Sequence, residues 1–167
     1  MKKTVSFICI IVYLLFLIGC DPAIRFLDKN ELIANTVKIE LYDYKNENPK
    51  NLRINGIIKP KFNFNKATLI ATLDEAYFEN ILNDIAKNGY MYSGSALNEP
   101  IGKTLVLHQS NGNIIVLFGC PYTNNDNKTY YYGDCYVFDK SGALVEYIGG
   151  VGQLFSERIE STYFQDN

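Results

Sequence analysis

Few side chains in this chain of 167 residues combine type and spacing in a way that could do chemistry. His108 is the one histidine, and imidazole is the group suited to acid–base work near neutral pH. Ser110 stands two residues on, hence on the same side of an extended strand, but such neighbours make no nucleophile–base pair without a third group to orient the base. No triad, HExxH or phosphate-loop motif accompanies them. Cys120 and Cys135 fall on apolar strand stretches that the intervening nine residues Pro121 to Thr129 would set side by side. Outside the cytoplasm a cross-strand disulfide is chemically permitted there, and closing such a loop would stabilise the fold by about 3 kcal/mol in the chain-entropy picture. Two buried free thiols are the alternative, and spacing alone leaves both open. Two cysteines and one distant histidine do not make a metal site, so no metal is expected. Asn124, Asn125, Asp126 and Asn127 offer oxygen ligands without the spacing or terminal bidentate acid of a calcium loop. Gly149, Gly150 and Gly152 fail as a dinucleotide fingerprint because Phe155 stands where the third glycine belongs, so no cofactor is expected either.

The tyrosines are more suggestive. Tyr122, Tyr130, Tyr131, Tyr132 and Tyr136 gather around one loop, and amphipathic rings on a loop rim can hold a protein, a peptide or a sugar. Tyrosine is also a favoured strand residue, so packing competes with binding for the same five rings.

The N-terminus carries an address. Lys2 and Lys3 precede an apolar run of fourteen residues from Val5 to Ile18, short of the roughly twenty that a spanning helix needs. Leu17, Gly19 and Cys20 follow with the spacing of an aliphatic residue, a small residue and a cysteine. This stretch resembles the signal peptide and lipobox of bacterial membrane lipoproteins. The resemblance implies diacylglyceryl transfer to the Cys20 sulfur, cleavage before it, and anchoring in the cell membrane on its extracytoplasmic face. Two or more acyl chains give a stable attachment where one gives a marginal one. Cys9 leaves with the signal.

Loss of the signal removes Lys2 and Lys3 and no acid, taking the net charge from −2 to −4. A mildly acidic domain without a basic stripe is a poor nucleic-acid binder.

The elements that must position these residues read in chain order. The expected division is a cleaved signal at 1–19, a lipidated N-terminus and tether at 20–35, part of which packs on the domain, and a single globular domain at 36–167. Thr36 to Tyr44 alternates as a half-buried strand, with Val37, Ile39 and Leu41 on one side and Lys38, Glu40 and Tyr42 on the other. Leu52 to Phe64, broken by Gly56 and Pro60, suggests an irregular or edge strand, and Lys66 to Ala71 a short one. Thr72 and Glu75 form a capping box before a helix with Phe78, Ile81, Leu82 and Ile85 on its apolar stripe and Asn88 and Gly89 as its stop.

Two hairpins follow. Asn111 and Gly112 favour a two-residue turn, which sets Ser110 opposite Asn113 and puts Leu105, Leu107, Ile114, Val116, Phe118 and Cys120 on one face. Asp139 to Gly142 has the composition of a type I turn closed by a left-handed glycine, joining Tyr130–Phe138 to Ala143–Ile148. The fold class is therefore α+β: one main helix packed on a curved, mostly antiparallel sheet that ends in a four-stranded meander. The expected role is a non-enzymatic binding module for a protein, peptide or envelope ligand, tethered to the lipid bilayer through Cys20. A small envelope hydrolase using His108 is the competing expectation, and it requires a carboxylate or Ser110 beside the imidazole.

Overall fold

A computed structural model describes residues 23–45, 52–53, 60–92, 96–97, 99–123, 129–152 and 154–164. The expected signal peptide, Cys20 and Asn124 to Asn127 lie outside the described residues.

Alternating β-branched and apolar residues make strands through most of the chain. In order they are β1 (Ala23–Arg25), β2 (Thr36–Tyr44), β3 (Leu52–Arg53), β4 (Ala67–Thr72), β5 (Tyr90–Tyr92), β6 (Ala96–Leu97) and β7 (Gly102–Gln109). They continue as β8 (Ile114–Phe118), β9 (Cys120–Thr123), β10 (Thr129–Tyr132), β11 (Asp134–Phe138) and β12 (Leu144–Gly150). Helix α1 spans Lys29–Asn35 and α2 Phe78–Lys87, and a π-helical run Leu154–Glu160 passes into one α-turn at Ser161–Tyr163. Eight strands form one sheet in the order β1-β5-β12-β11-β8-β7-β2-β4, with antiparallel neighbours throughout, and β9/β10 and β3/β6 form separate two-stranded ribbons. The architecture is α+β, an open, mostly antiparallel sheet with few helices. Among the described residues no helix is long and apolar enough to cross a membrane.

Both faces of this sheet are covered, by different materials. On the first face Ile39, Leu41, Leu105, Leu107, Ile115, Leu117 and Cys135 meet Leu32 of α1, Ile81, Leu82 and Ile85 of α2, and Phe155 and Ile159 of the C-terminal helical run. The stripe read for α2 is the one it buries, although Phe78 is only partly covered. The helix begins differently from expectation. Asp74, not Thr72, accepts the Ala76 N–H at 2.8 Å and caps a 3₁₀ turn at Glu75–Tyr77 that leads into α2. Thr72 ends β4 and is free for another partner.

The stretch read as a tether contributes to this face. Ala23–Arg25 pairs with β5 and Leu32 is buried, so the domain begins by Ala23 rather than at Thr36. The expectation that part of this stretch packs on the domain holds.

On the second face the cover is aromatic. Tyr42, Tyr44, Val106, Ile114, Val116, Phe118, Tyr136 and Phe138 pack together with Phe62, which comes from an irregular strap at Pro60–Lys66. The composition of this face depends on the β7–β8 turn. Gln109 N–H bonds Asn113 O and Gly112 N–H bonds Gln109 O, so the loop has three residues, Ser110 to Gly112, with Gly112 at φ +87°. That is a type I turn closed by a left-handed glycine, not the expected two-residue turn. The register moves by one residue, to His108 opposite Ile114 and Leu107 opposite Ile115, and every β8 side chain changes face. Ile114, Val116 and Phe118 therefore lie with Val106 and not with Leu105 and Leu107.

The second hairpin has the turn expected of it: Gly142 lies at φ +77°, its N–H bonds Asp139 O, and the Asp139 carboxylate accepts from Ser141 and Ala143 N–H. A Cβ on Gly142 would stand 2.0 Å from Phe62 O, so this glycine also lets the strap approach. Tyr130 to Phe138 is not one strand, however: it divides at Gly133 into β10, on the ribbon, and β11, in the sheet. Irregular pairing between β11 and β12 leaves Val145 exposed, while Cys135 and Val137 face the first core. Val37 is likewise exposed, at an irregularity in the β2–β7 pairing, and does not join Ile39 and Leu41.

Candidate functional site

The period of two in β2 turns Lys38, Glu40 and Tyr42 to the second face. Pairing with β4 sets Thr72 opposite Glu40, and pairing with β7 sets His108 opposite Lys38. Four side chains from three strands thus converge on one carboxylate that is 2% exposed. Glu40 Oε2 accepts from Tyr42 OH at 2.7 Å and lies 2.7 Å from His108 Nε2. Its Oε1 lies 2.5 Å from Lys38 Nζ and accepts from Thr72 Oγ1 at 3.4 Å.

A carboxylate buried without partners would cost several kcal/mol, and this one is compensated on both oxygens. Burial alone pushes the Glu40 pKa up. The hydrogen bonds from Lys38, Tyr42 and His108 outweigh it together, so the carboxyl titrates below its ordinary 4.5. Burial first, and then the bond to Glu40, push the Tyr42 phenol well above its usual range. Glu40 is therefore a permanent anion at neutral pH, and Tyr42 a permanent donor.

Phe64 caps the cluster from the strap. Its ring stacks on the His108 imidazole with centroids 6.0 Å apart and meets Tyr42 edge-on at 5.7 Å. Phe62, anchored by its N–H to Gly142 O at 3.0 Å, packs on Phe64, Tyr44 and Phe138. Asn63 N–H donates to Tyr44 OH, and Lys45 N–H donates to Lys66 O. Between strap, Tyr44 and the β11–β12 turn opens a cleft of 590 Å³, lined by Lys61, Phe64, Lys66, Lys140 and Ser141, with Glu99 among the others. Among the described residues no carboxylate stands within 4 Å of the Lys61, Lys66 or Lys140 ammonium groups. A shallower hollow of 330 Å³ lies on the other face between Leu27, Asn35, Gln109 and Val145.

His108 has the carboxylate that base chemistry asks for, but Ser110 is not its nucleophile. The Ser110 hydroxyl turns to Asn35 Oδ1 at 3.4 Å, and among the described residues the imidazole has Glu40 as its one hydrogen-bond partner. The pair can hold a ring in place and exchange a proton; nothing described stands ready to attack a substrate.

The cysteines are not brought together. Cys135 pairs with Leu117 and Cys120 with Tyr132, and Cys135 is a free, fully buried thiol whose pKa burial pushes far up. Of the two alternatives left open for this pair, Cys135 takes that of the buried free thiol, and the register sets other residues opposite each cysteine. Of the five tyrosines, Tyr136 belongs to the second core: its ring is wholly buried against Phe118 and Phe138, and its hydroxyl donates to the buried Asp134 at 3.1 Å. It is not part of a binding surface. Tyr122, Tyr130, Tyr131 and Tyr132 sit on the β9/β10 ribbon, Tyr122 opposite Tyr130, and their side chains lie outside the described ones.

Glu40, Lys38, Tyr42 and Thr72 were not among the sequence candidates. The available signal was an acid two residues from a tyrosine on one side of a strand. What it lacked was the identity of the strands on either side. No known protein family, curated protein or solved structure matches the chain.

Proposed function

We propose that this chain is a membrane-anchored, extracytoplasmic lipoprotein whose domain is a non-enzymatic binding module, and that the strap cleft is where it takes an anionic protein, peptide or envelope ligand. One observation carries the reading: a cleft of 590 Å³ lined by Lys61, Lys66 and Lys140 against the single acid Glu99, none of the three lysines having a carboxylate within 4 Å among the described residues, in a chain whose overall charge is −2. Local charge opposite to the net charge is a recognition feature, since it concentrates anions at one place on a surface that repels them elsewhere. Phe64 adds a half-exposed ring at the rim, and the Glu40 cluster beneath it holds that ring in position. The tyrosine ribbon β9/β10 is a second contact surface in this reading. The reading also takes the sheet as curved towards the strap, with β7, β8, β11 and β12 as a meander, the form that strand twist favours.

Crosslinking in intact cells followed by pull-down tests it. The triple reversal Lys61→Glu, Lys66→Glu, Lys140→Glu should abolish capture while the protein stays folded. Undiminished capture would remove the cleft from consideration, and loss on mutating Tyr130 to Tyr132 instead would move the site to the ribbon. Mass spectrometry of the mature protein reports lipid on Cys20 directly.

A small hydrolase using His108 is the second reading, favoured by its 2.7 Å contact with Glu40. Turnover of ester, amide or phosphoester probes that disappears in His108→Gln would establish it.

A further inference from the structure

We infer that the β1–β5 edge of the sheet is the surface the domain lays on the bilayer, with Ile24, Phe26 and Met91 in contact with lipid. This rests on the lipid anchor proposed above at Cys20. Two residues, Asp21 and Pro22, lie between Cys20 and Ala23, and an extended chain advances about 3.3–3.6 Å per residue, so three steps hold the start of β1 within roughly 10 Å of the Cys20 backbone. The headgroup layer on each side of a bilayer is itself about 5–8 Å deep. The first strand of the domain is therefore held at the membrane surface by chain length alone.

The side chains displayed there suit that position. Ile24 is 62% exposed, Phe26 66% and Met91 56%, and all three are large and apolar. They are contiguous: Ile24 and Met91 are register partners, and a Cβ placed on Gly89 would meet Ile24 Cγ2 at 2.8 Å and the Phe26 ring at 3.5 Å, so Ile24 and Phe26 flank the same position. The one charged residue of β1, Arg25, is turned away from them. Its guanidinium lies 4.1 Å over the Tyr92 ring and bonds Tyr147 O and Glu146. A three-residue edge strand with an apolar patch is an aggregation hazard when exposed to water. Against headgroups the patch is covered, and the unpaired edge of β1 finds hydrogen-bond partners. The opposite edge, β4, also exposes apolar residues, Leu69 and Ile70, but seven strand spacings of about 4.8 Å place it roughly 30 Å away, beyond the anchor's reach.

The chain has no tryptophan, so each single substitution introduces a unique fluorescent reporter. Full-length lipidated protein carrying Phe26→Trp, Met91→Trp or Leu69→Trp is reconstituted into phosphatidylcholine–phosphatidylglycerol vesicles with brominated acyl chains, lipid on Cys20 being checked by mass. Phe26→Trp and Met91→Trp should be blue-shifted and quenched several-fold more than Leu69→Trp. Equal quenching at the three positions, with lipid present on Cys20, overturns the inference and leaves the anchor standing. Emission at residue 26 that shifts with protein concentration and ignores bromine means a second copy covers the patch, and overturns it too. No lipid on Cys20 overturns the anchor and this inference together.

Discussion

The two faces of the central sheet are built to opposite plans. The first is closed by helices whose aliphatic side chains interlock with Leu105, Leu107, Ile115 and Leu117, and among the described residues no charged side chain is buried in it. The second is closed by an irregular strap, its contacts are aromatic, and at one end it encloses the Glu40 carboxylate with four partners. Aliphatic packing under helices is non-directional and gains by area. A buried carboxylate is directional: it has value only while each partner is in place, and it joins three strands at once, with Phe64 of the strap resting on two of those partners. The difference assigns stability to the first face and shape to the second. The 590 Å³ cleft lies where the strap ends, next to the side chains that depend on this network.

The largest effect expected from breaking this comparison is on the helical side. Ile81→Ala should lower stability by about 2–5 kcal/mol through the cavity it leaves, read as a fall in the urea midpoint, with the strap cleft unchanged in the surviving native protein. Next is Glu40→Ala, which leaves the buried Tyr42 hydroxyl without its acceptor and frees His108 and Lys38; about 2–3 kcal/mol is expected, with Glu40→Gln milder. If Glu40→Ala costs less than a surface substitution, the network is ornamental and the contrast between the faces fails.

Gly142→Ala should cost about 1–2 kcal/mol for an L-residue in the left-handed region. It should also displace the strap, because its Cβ would meet Phe62 O. Hydrogen exchange at Phe62 N–H should then rise well before exchange in α2, separating damage to one face from damage to the other.

Acid supplies a smaller and more selective test. Folding lowers the Glu40 pKa, so its contribution is complete above the ordinary value of 4.5 and is lost as pH falls through the depressed folded value. Wild-type stability should therefore decline with acid below about pH 4.5 more steeply than that of Glu40→Gln, in parallel urea titrations. Equal slopes would take Glu40 out of the acid response. Least in energy is the reactivity of Cys135. In a Cys120→Ser background its burial and raised pKa should hold thiol labelling to the rate of global unfolding, and faster labelling would mean that the first face opens locally.

What could be read along the chain was the local part of this arrangement. Alternation in Thr36–Tyr44 put Lys38, Glu40 and Tyr42 on one side, and the α2 stripe put Ile81, Leu82 and Ile85 on another element's buried face, because both periods are properties of the backbone. Asp139 to Gly142 announced its turn, since a left-handed position after a type I turn selects glycine. Asn111-Gly112 announced a turn of the wrong length: the same two residues serve a two-residue and a three-residue loop, and only the full set of pairings across β7, β8 and β11 decides between them. That single residue of register determined which face Phe118 and Ile114 joined. It also put Ile114, not Ile115, opposite His108.

Residue types and their spacing were enough to determine that the chain alternates, where its main helix lies and which cysteine stands in a stretch that resembles a lipobox, because each depends on neighbours within a few residues. Only the tertiary structure decided that Glu40 is buried, that Thr72 serves a carboxylate rather than a helix, that Cys135 stays unbridged and that Tyr136 faces inward. Glu40 and His108 are 68 positions apart. They meet because β2 lies between β4 and β7 and the strap shuts out water above them, and a carboxylate has no reason to be buried until those partners and that cover exist.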